Sequence, residues 1–542
     1  MIKCYNRKPD MLILTNGIIH TMNALQPTVE ALAIQADQLI ALGSTKDVLN
    51  LVDHNTTVLD LQGRTVFPGL IDAHIHLLQY GMKLAQIDCE TKSKKECLQR
   101  VAMAVEKQPP GEWIIGQGWD HNIWEDGIGN RTELDAISPQ NPILLFAKSL
   151  HASWVNSYAL KLAGINQNTP DPHGGCIVRD PYGVSTGILL ESATLLVERV
   201  IPQPDQQQMK NALFSAQQQL FQFGITSVQD VDEWKIYPVL EKLYQQNEYQ
   251  LRVVKSIQLS ALPEAIDQGY RTGLGNNQLK IGWLKLFMDG ALGPQTAAML
   301  EPYQGSDQYG MLTLTDEDLE EIGRQALSHK ISLEIHAIGD KAIRKALDGL
   351  QKLQETFSQV SLPYAHRLEH VQIIHPDDIP RMAAMQVVAS MQPIHLISDM
   401  NTADRYWGKR CEFAYAWNTI RKAGIPLIFG SDAPVESPNP FLGIHAAVTR
   451  CRKGSPSAWH PEQALPLEAA LAAYSINPAS IIQQPQNSGM LAKGYLADLV
   501  ILSEDPTVVP PDQLDHLTPL ATMVGGKFVW QHSDFFPDEP TL

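Results

Sequence analysis

Short apolar runs separated by turns occupy both ends of the chain. Residues 1–66 contain MLILTNGIIHTMN, EALAIQADQLIALGS and TTVLDLQGRTVFPG, and this alternation predicts a small antiparallel sheet. The segments MLAKGYLADLVILSEDP and ATMVGGKFVWQ near the other end have the same pattern. We therefore predict one small β-sandwich domain built from residues 1–66 and 485–542.

The middle of the chain has a different pattern, in which short buried strands alternate with helical stretches such as DEDLEEIGRQALSHK. Repeated strand and helix units favour a parallel sheet, and eight of them fit a closed barrel. We predict an α/β fold, a (β/α)8 TIM barrel over residues 67–484. Its eight strands are predicted at LIDAHIHL, GITSVQD, LRVVKSIQL, GWLKLFMDG, ISLEIHAIGD, HRLEHVQI, QVVASMQPI and IPLIFGSD.

The gap between the first two predicted barrel strands, residues 80–223, is far too long for one crossover. We expect an insertion subdomain there. In a barrel enzyme an insertion after the first strand emerges at the face that carries the active site, which predicts a lid or a substrate wall. Trp119 lies in this segment as a candidate substrate contact, or, with Trp124, as part of the core of the insertion.

Composition narrows the class of protein. With 44% apolar and 19% charged residues, the chain has the profile of a soluble globular protein. A net charge of −17 and the lack of a long Lys/Arg block argue against nucleic acid as a partner. The opening residues do not resemble a signal peptide, and no apolar run reaches the roughly 18 residues of a membrane span, so we expect a cytoplasmic protein without membrane contact. Six scattered cysteines without CxxC spacing argue against a disulfide framework or a cysteine zinc site.

The stretch FPGLIDAHIHL places Asp72, His74 and His76 at alternate positions of a predicted strand. Alternate side chains share a face, so the two histidines can converge on one ion. The pair alone is weak evidence, since 17 histidines in 542 residues give roughly half of one HxH by chance. Asp72 lies deeper on the strand, which favours a hydrogen bond to a histidine N–H over direct ligation.

Other predicted barrel strands also finish on ionisable residues, where catalytic residues of such barrels lie. A lone histidine is often a hydrogen-bonded core residue, and a strand-terminal aspartate often caps a helix, so alternatives exist. A lysine inside an apolar run is harder to explain, because a buried amine loses its proton readily and can then form an anionic carbamate with carbon dioxide. These residues are Lys285, His336, His370 and Asp432.

Taken in order, the motifs resemble the metal-dependent amidohydrolase superfamily, in the branch of N-substituted formamide deformylases and YtcJ-like hydrolases. The resemblance covers essentially the whole chain. It implies that His74 and His76 bind one metal with Asp432, that His336 and His370 bind a second, and that carboxylated Lys285 bridges the two. It rests on FPGLIDAHIH, GWDHNIW, HASWVNS, HGGCIVRD, LKLFMDGALG, EIHAIGD, RLEHVQ, FGSDAPVE and GYLADLVIL.

The resemblance also implies a chemistry. Two divalent cations would activate water, and Asp432 would move a proton from that water to the leaving nitrogen of a small non-peptide amide of N-acyl or N-formyl type. Zinc suits nitrogen and oxygen ligands, while manganese, iron and nickel stay open. His151, Asp289 and His395 are candidate substrate contacts by position.

Three alternatives remain open at this point. The same metal site suits an esterase or lactonase, because the attack step barely distinguishes the leaving groups. A barrel that serves only as a non-catalytic scaffold is a second alternative, and a mononuclear site with Lys285 uncarboxylated is a third. The sequence fixes neither the substrate nor the oligomeric state, and a homodimer is compatible with it.

Overall fold

The structure is a computed structural model that describes residues 11–120, 124–125, 127–148, 152–172, 174–455, 457–482 and 488–535. The chain folds into two compact units. One comprises the described parts of Met1–Tyr80 and Leu213–Leu542, and the other those of Gly81–Ala212. Among the described residues, every helix is too short or too polar to cross a bilayer.

The N-terminal segment supplies strands to two sheets. Strands β5, β4, β1 and β6 lie in that order in one sheet, where β6 runs parallel to β1, and β2 likewise runs parallel to β7 in the other. The prediction of a purely antiparallel sheet is therefore wrong, because these pairings join strands that are not consecutive. The elements are β1 (Met11–Thr15), β2 (Ile18–His20), β3 (Thr28–Val29), β4 (Ala31–Gln35), β5 (Gln38–Gly43), α1 (Thr45–Leu49), β6 (Thr56–Asp60) and β7 (Thr65–Pro68).

The second unit, residues 81–212, has its own six-stranded mixed sheet, in the order β13-β14-β12-β11-β10-β9. It follows β8 (Leu70–Ile75) and α2 (Leu77–Leu84) along the chain. Its elements are β9 (Ile87–Asp88), α3 (Lys94–Val105), β10 (Ile114–Trp119), α4 (Arg131–Ile137), β11 (Ile143–Ala147), β12 (Ala152–Val155), α5 (Ser157–Leu162), β13 (Gly175–Arg179), β14 (Ser185–Glu191) and α6 (Leu195–Glu198), and α7 (Gln206–Gln222) comes next.

Three tryptophans form the centre of this unit. Trp119, Trp124 and Trp154 lie within 6.2 to 6.5 Å of one another by ring centroid. Trp119 is 1% exposed, and its indole N–H donates to the carbonyl of Leu145 at 2.8 Å. The structure favours Trp119 as a core residue of this unit, and its contact with a substrate stays a prediction.

Eight parallel strands form the barrel, in the sheet order β21-β20-β19-β18-β17-β16-β15-β8. Seven lie within the stretches predicted for them and the fourth begins three residues earlier, at Leu279, so the predicted α/β barrel is confirmed. The strands after β8 are β15 (Ile225–Asp230), β16 (Arg252–Gln258), β17 (Leu279–Phe287), β18 (Leu333–Ala337), β19 (Arg367–His370), β20 (Val388–Met391) and β21 (Leu427–Phe429). The helices among them are α8 (Tyr237–Gln245), α9 (Leu262–Asp267), α10 (Asp316–Ser328), α11 (Asp340–Thr356), α12 (Asp378–Ala384), α13 (His395–Trp407) and α14 (Trp417–Lys422).

The barrel closes where the last strand meets the first. The backbone N–H of Asp432 donates to the carbonyl of His74 at 2.8 Å, and that of His76 donates to Ala433 at 2.9 Å. A Cβ on Gly430 would lie 2.4 Å from the backbone nitrogen of His74, so only glycine permits this approach. The closure therefore places His74 of β8 and His76, which follows the strand, against the residues that come after β21.

The C-terminal segment completes the sheet begun by the N-terminus. Strand β22 pairs antiparallel with β7, giving the order β24-β23-β22-β7-β2-β3. Both chain ends thus share one sheet, as predicted, while the domain boundaries stay a prediction. The remaining elements are α15 (Pro440–Thr449), α16 (Leu467–Ala473), α17 (Ile476–Ser480), β22 (Leu499–Leu502), β23 (Pro519–Val524) and β24 (Lys527–Gln531), with 3₁₀ turns at Trp234–Ile236, Leu259–Ala261, Gly408–Phe413, Pro461–Gln463, Pro511–His516 and Ser533–Phe535.

Candidate metal centre

Four imidazoles gather at the carboxyl ends of the barrel strands. The ring centroids of His74 and His76 are 6.1 Å apart, those of His74 and His370 are 5.1 Å apart, and those of His336 and His370 are 4.5 Å apart. They come from β8, β18 and β19 and the residue that follows β8. The structure thus brings together all four histidines that the sequence singled out.

Asp432 lies at the centre of this group. Its Oδ1 atom is 3.5 Å from Nε2 of His74 and 3.3 Å from Nε2 of His76. The residue is 7% exposed and has a positive φ of 59°, a conformation uncommon outside glycine and often found at functional sites. Burial alone would raise the pKa of Asp432, but its hydrogen bond with His76 and the surrounding imidazoles hold it well below the usual range. Asp432 is therefore an ionised carboxylate across the neutral pH range.

The second ring nitrogens orient three of the imidazoles. Nδ1 of His370 lies 2.8 Å from Oε1 of Gln392, Nδ1 of His76 lies 3.3 Å from Oδ1 of Asp232, and Nδ1 of His74 contacts the carboxylate of Glu369. Such partners fix a ring and leave the other nitrogen for a ligand. His336 is turned the other way, since its Nε2 lies 2.9 Å from the carbonyl of Gly290 and its Nδ1 stays available.

Burial determines the charge of most of these rings. It lowers the pKa of His336 to about 4 and the pKa values of His74 and His370 well below the usual range, with further lowering from neighbouring cationic groups. These three rings are neutral near pH 7 and offer a lone pair. Burial also lowers the pKa of His76, but hydrogen bonds to Asp232 and Asp432 outweigh it and raise the pKa to about 9.

Lys285 lies beneath the histidines in a network of buried charges. It is 2% exposed, its Nζ lies 3.5 Å from Oε1 of Glu334, and that nitrogen has no hydrogen-bond partner in the described part of the chain. Glu334 accepts hydrogen bonds from Arg367 at 2.9 Å and from Ser256 at 2.6 Å. Arg367 in turn pairs with Glu369 at 2.6 Å. Lys285 is thus a buried amine that lacks hydrogen bonds.

Four residues that contact the histidines or Lys285 were not among the candidates from the sequence. They are Asp232, Glu334, Glu369 and Gln392. Each lies on a barrel strand or within two residues of its end, so the strand ends did offer a positional signal. Their partners, however, are up to 295 positions away along the chain, as between His74 and Glu369. Lys255 is also fully buried and pairs with Asp230 at 3.1 Å, so burial of a lysine alone could not have selected Lys285.

Asp72 joins the two strands at the closure. Its Oδ1 accepts the backbone N–H groups of His74 at 3.1 Å and of Ser431 at 3.0 Å, and its Oδ2 accepts the Ser431 hydroxyl at 2.5 Å. Burial raises the pKa of Asp72 to about 7 despite these hydrogen bonds. The residue therefore supports His74 through the backbone, and not through an imidazole N–H.

The candidate substrate contacts fall in different places. Asp289 is 3% exposed and accepts the backbone N–H groups of Ala298, Ile338 and Gly339 at 2.8 to 3.0 Å, which gives it a structural role beside His336. His395 lies at the centre, with its Nε2 atom 3.6 Å from Oδ2 of Asp432. His151 lies outside the described residues.

Comparison with known proteins agrees with this geometry. A family model described as the amidohydrolase family matches residues 57–530. The YtcJ protein of Bacillus subtilis is 32% identical over 95% of this chain and 99% of its own length. An N-substituted formamide deformylase of Arthrobacter pascens is 27% identical over 96% of this chain and 98% of its own length. A solved structure of a metal-dependent hydrolase from Pyrococcus horikoshii is 29% identical, with a TM-score of 0.77 over 92% of this chain and 99% of the other.

Proposed function

The chain belongs to the amidohydrolase family, whose members are metal-dependent hydrolases, and from this premise we propose that it hydrolyses a carbon–nitrogen bond of a small non-peptide amide. The substrate class is an N-acyl or N-formyl compound, supported by similarity to an N-substituted formamide deformylase. The observation that carries the proposal is the convergence of two histidine Nε2 atoms on one oxygen of the buried Asp432 carboxylate.

The residues at the site fit divalent cations. One ligand atom each from His74, His76 and Asp432 lies within 4.8 Å of the others, and the donors are imidazole nitrogen and carboxylate oxygen without thiolate. This donor set suits zinc, and manganese, iron or nickel are compatible with it. His336, His370 and a carboxylated Lys285 would hold a second cation. The bare Lys285 nitrogen, buried without a hydrogen bond, is the atom to which the carboxyl group would be added.

The carbamate fits the surrounding charges only together with the metals. As an ammonium, Lys285 balances Glu334, while Arg367 balances Glu369. Conversion of this ammonium into an anion leaves the buried network with excess negative charge. Burial of unpaired charge is strongly unfavourable, so two divalent cations are needed to offset it. Carboxylation and metal binding are therefore expected to occur together.

Asp432 carries out both proton transfers of the proposed reaction. A bound divalent cation would supply Lewis acidity, which lowers the pKa of water towards about 7 and polarises a carbonyl oxygen. Asp432 stays ionised and accepts the proton of the attacking water. A carboxylate with so low a pKa is a weak base, so this transfer requires acidified water. The water oxygen adds to the acyl carbon, the carbon–nitrogen bond breaks, and Asp432 returns the proton to the leaving nitrogen, which departs as a neutral amine.

Substrate panels test the proposed bond type. Purified protein of measured metal content is assayed on a series of formanilides beside a series of aryl esters with matched acyl groups. We expect turnover of the amides to exceed the background rate in the Asp432→Asn variant by orders of magnitude. Turnover of esters alone would replace amide hydrolysis with the esterase alternative, and turnover of neither series by metal-loaded protein would contradict both.

A further inference from the structure

His395 has an unsatisfied nitrogen beside the candidate metal centre. It is the first residue of α13, four residues after the end of β20, and only 8% of it is exposed. Its Nε2 atom is buried and has no hydrogen-bond partner in the part of the chain that the structure describes. Buried polar atoms are normally satisfied, so a bare ring nitrogen at this place calls for a ligand.

The spacing around Asp432 identifies that ligand as a cation. Nε2 of His395 lies 3.6 Å from Oδ2 of Asp432, while Nε2 of His74 and of His76 lie 3.5 and 3.3 Å from Oδ1. The separations of His74 and His395 exceed the 2.7 to 3.2 Å of a hydrogen bond, whereas His76, at 3.3 Å, also makes a hydrogen bond with Asp432. These separations match two ligands of one ion, because tetrahedral bonds of about 2.0 to 2.2 Å place ligand atoms roughly 3.3 to 3.6 Å apart.

His370 supplies a third ligand atom on this side. Its ring is stacked on that of His395 with centroids 6.2 Å apart, and its Nδ1 atom is occupied by Gln392, which leaves Nε2 free to ligate. One ligand atom each from His370, His395 and Asp432 lies within 4.8 Å of the others. The two oxygens of Asp432 face different imidazoles, since Oδ1 is near His74 and His76 and Oδ2 is near His395.

We propose that His395 is a ligand of the second cation, beside His370 and Oδ2 of Asp432. Each oxygen of an ionised carboxylate keeps a further lone pair, so Asp432 can still accept the proton of the attacking water. The proposal rests on the proposed function, because it adds a ligand to the metal centre of that hydrolase. It changes the role of His395 from a substrate contact to part of the metal centre.

Metal content tests the proposal without reference to activity. Protein is purified from cells grown with added zinc, dialysed against metal-free buffer and analysed for zinc per chain. We expect two zinc ions in the unaltered protein and one in His395→Ala. His395→Asp, which offers a carboxylate in place of the imidazole, is expected to regain part of the second ion. His445→Ala is the matched control, since His445 is equally buried at 8% exposure, lies outside the centre, and should leave two ions bound.

The outcomes distinguish a failure of the His395 proposal from a failure of the proposed hydrolase function. Two ions in His395→Ala with unchanged resistance to a chelator would overturn the role of His395 and leave the proposed function intact. One ion in the unaltered protein would also overturn it, and would leave a mononuclear hydrolase. No bound ion in the unaltered protein would overturn both. His395→Gln, which keeps a polar side chain of similar volume, replaces the alanine variant if circular dichroism shows that the latter is unfolded.

Discussion

Asp432 is the residue on which the candidate metal centre depends. Its carboxylate is the shared neighbour of three imidazoles that lie at the carboxyl ends of the first and seventh barrel strands, and its backbone N–H closes the barrel against His74. The position of Asp432 at a strand end made it a candidate from sequence alone. Its relation to His395 was not predictable, because the two residues follow different strands, β20 and β21, whose pairing is not visible in a local sequence pattern.

Replacement of Asp432 by asparagine removes its ability to transfer a proton while it keeps the shape of the side chain. The amide has nearly the same volume but cannot accept a proton, so we expect kcat to fall by about 10²- to 10⁴-fold, the usual contribution of general acid–base catalysis. Turnover is measured per bound metal, so that any weakening of the metal centre is removed from the comparison. A kcat per metal within a factor of two of the unaltered protein would exclude the proton role.

Isotope labelling tests whether Lys285 carries a carbamate. Protein prepared with ¹³C-labelled bicarbonate is expected to show one carbamate carbon by nuclear magnetic resonance, which disappears in Lys285→Ala. Because Lys285→Ala removes the bridging oxygens, its activity should fall strongly and return in part with added short carboxylates. The control is Lys255→Ala, which removes an equally buried lysine that is paired with Asp230 and should keep the labelled carbon. Absence of the signal in metal-loaded protein would leave Lys285 as an ammonium paired with Glu334.

Strands and their closure were largely predictable. All eight barrel strands lie where apolar runs and turn residues placed them, because that pattern is local to each strand. Pairing partners are not local, and for this reason the parallel pairs β1–β6 and β2–β7 were missed. The buried hydrogen bonds and ion pairs were missed for the same reason, since Arg367 lies 138 positions from its hydrogen-bond partner Gln229 and 33 from its ion-pair partner Glu334.

The closure between β8 and β21 gives a prediction at the level of elements. A methyl group in Gly430→Ala would meet backbone and Cβ atoms of His74 at 2.4 and 2.7 Å, so the strands must separate. We expect a lower melting temperature and weaker retention of zinc, because His74 and His76 move away from Asp432. The control is Gly43→Ala in β5, where an added Cβ meets no atom within 4 Å. Equal stability and zinc retention in the two variants would contradict the proposed closure.

Within the larger unit, a buried ion pair joins the C-terminal segment to the barrel. Arg252 on β16 makes a bidentate ion pair with Asp498 of the C-terminal segment, at 2.6 and 2.9 Å. Lys280 lies close to this pair, is 3% exposed, and its Nζ has no hydrogen-bond partner among the described residues. Burial and then the charge of Arg252 lower the pKa of Lys280 to about 8. The sequence offered no sign that a charged Lys280 destabilises the folded state, because Lys280 belongs to an ordinary strand.

Lys280→Met is therefore expected to stabilise the protein in a pH-dependent manner. A folded-state pKa of about 8 against 10.5 when unfolded penalises the charged form by at most about 3 kcal/mol below pH 8. The penalty fades as pH rises from about 8 to 10.5, where the amine is neutral in both states. Melting temperatures at pH 7 and pH 10 measure this, and the gain of the variant should be larger at pH 7. Lys527→Met, at an exposed position, should change little at either pH, and a loss of stability in Lys280→Met at pH 7 would contradict the account.

One diffraction measurement tests the metal centre most directly. Crystals of the purified protein, grown with zinc and recorded at the zinc absorption edge, yield an anomalous difference map. The account predicts a peak about 2.0 to 2.1 Å from Nε2 of both His74 and His76, and in contact with Asp432. An anomalous peak only at the protein surface, or a well-ordered barrel without any peak between His74, His76 and Asp432, would contradict it.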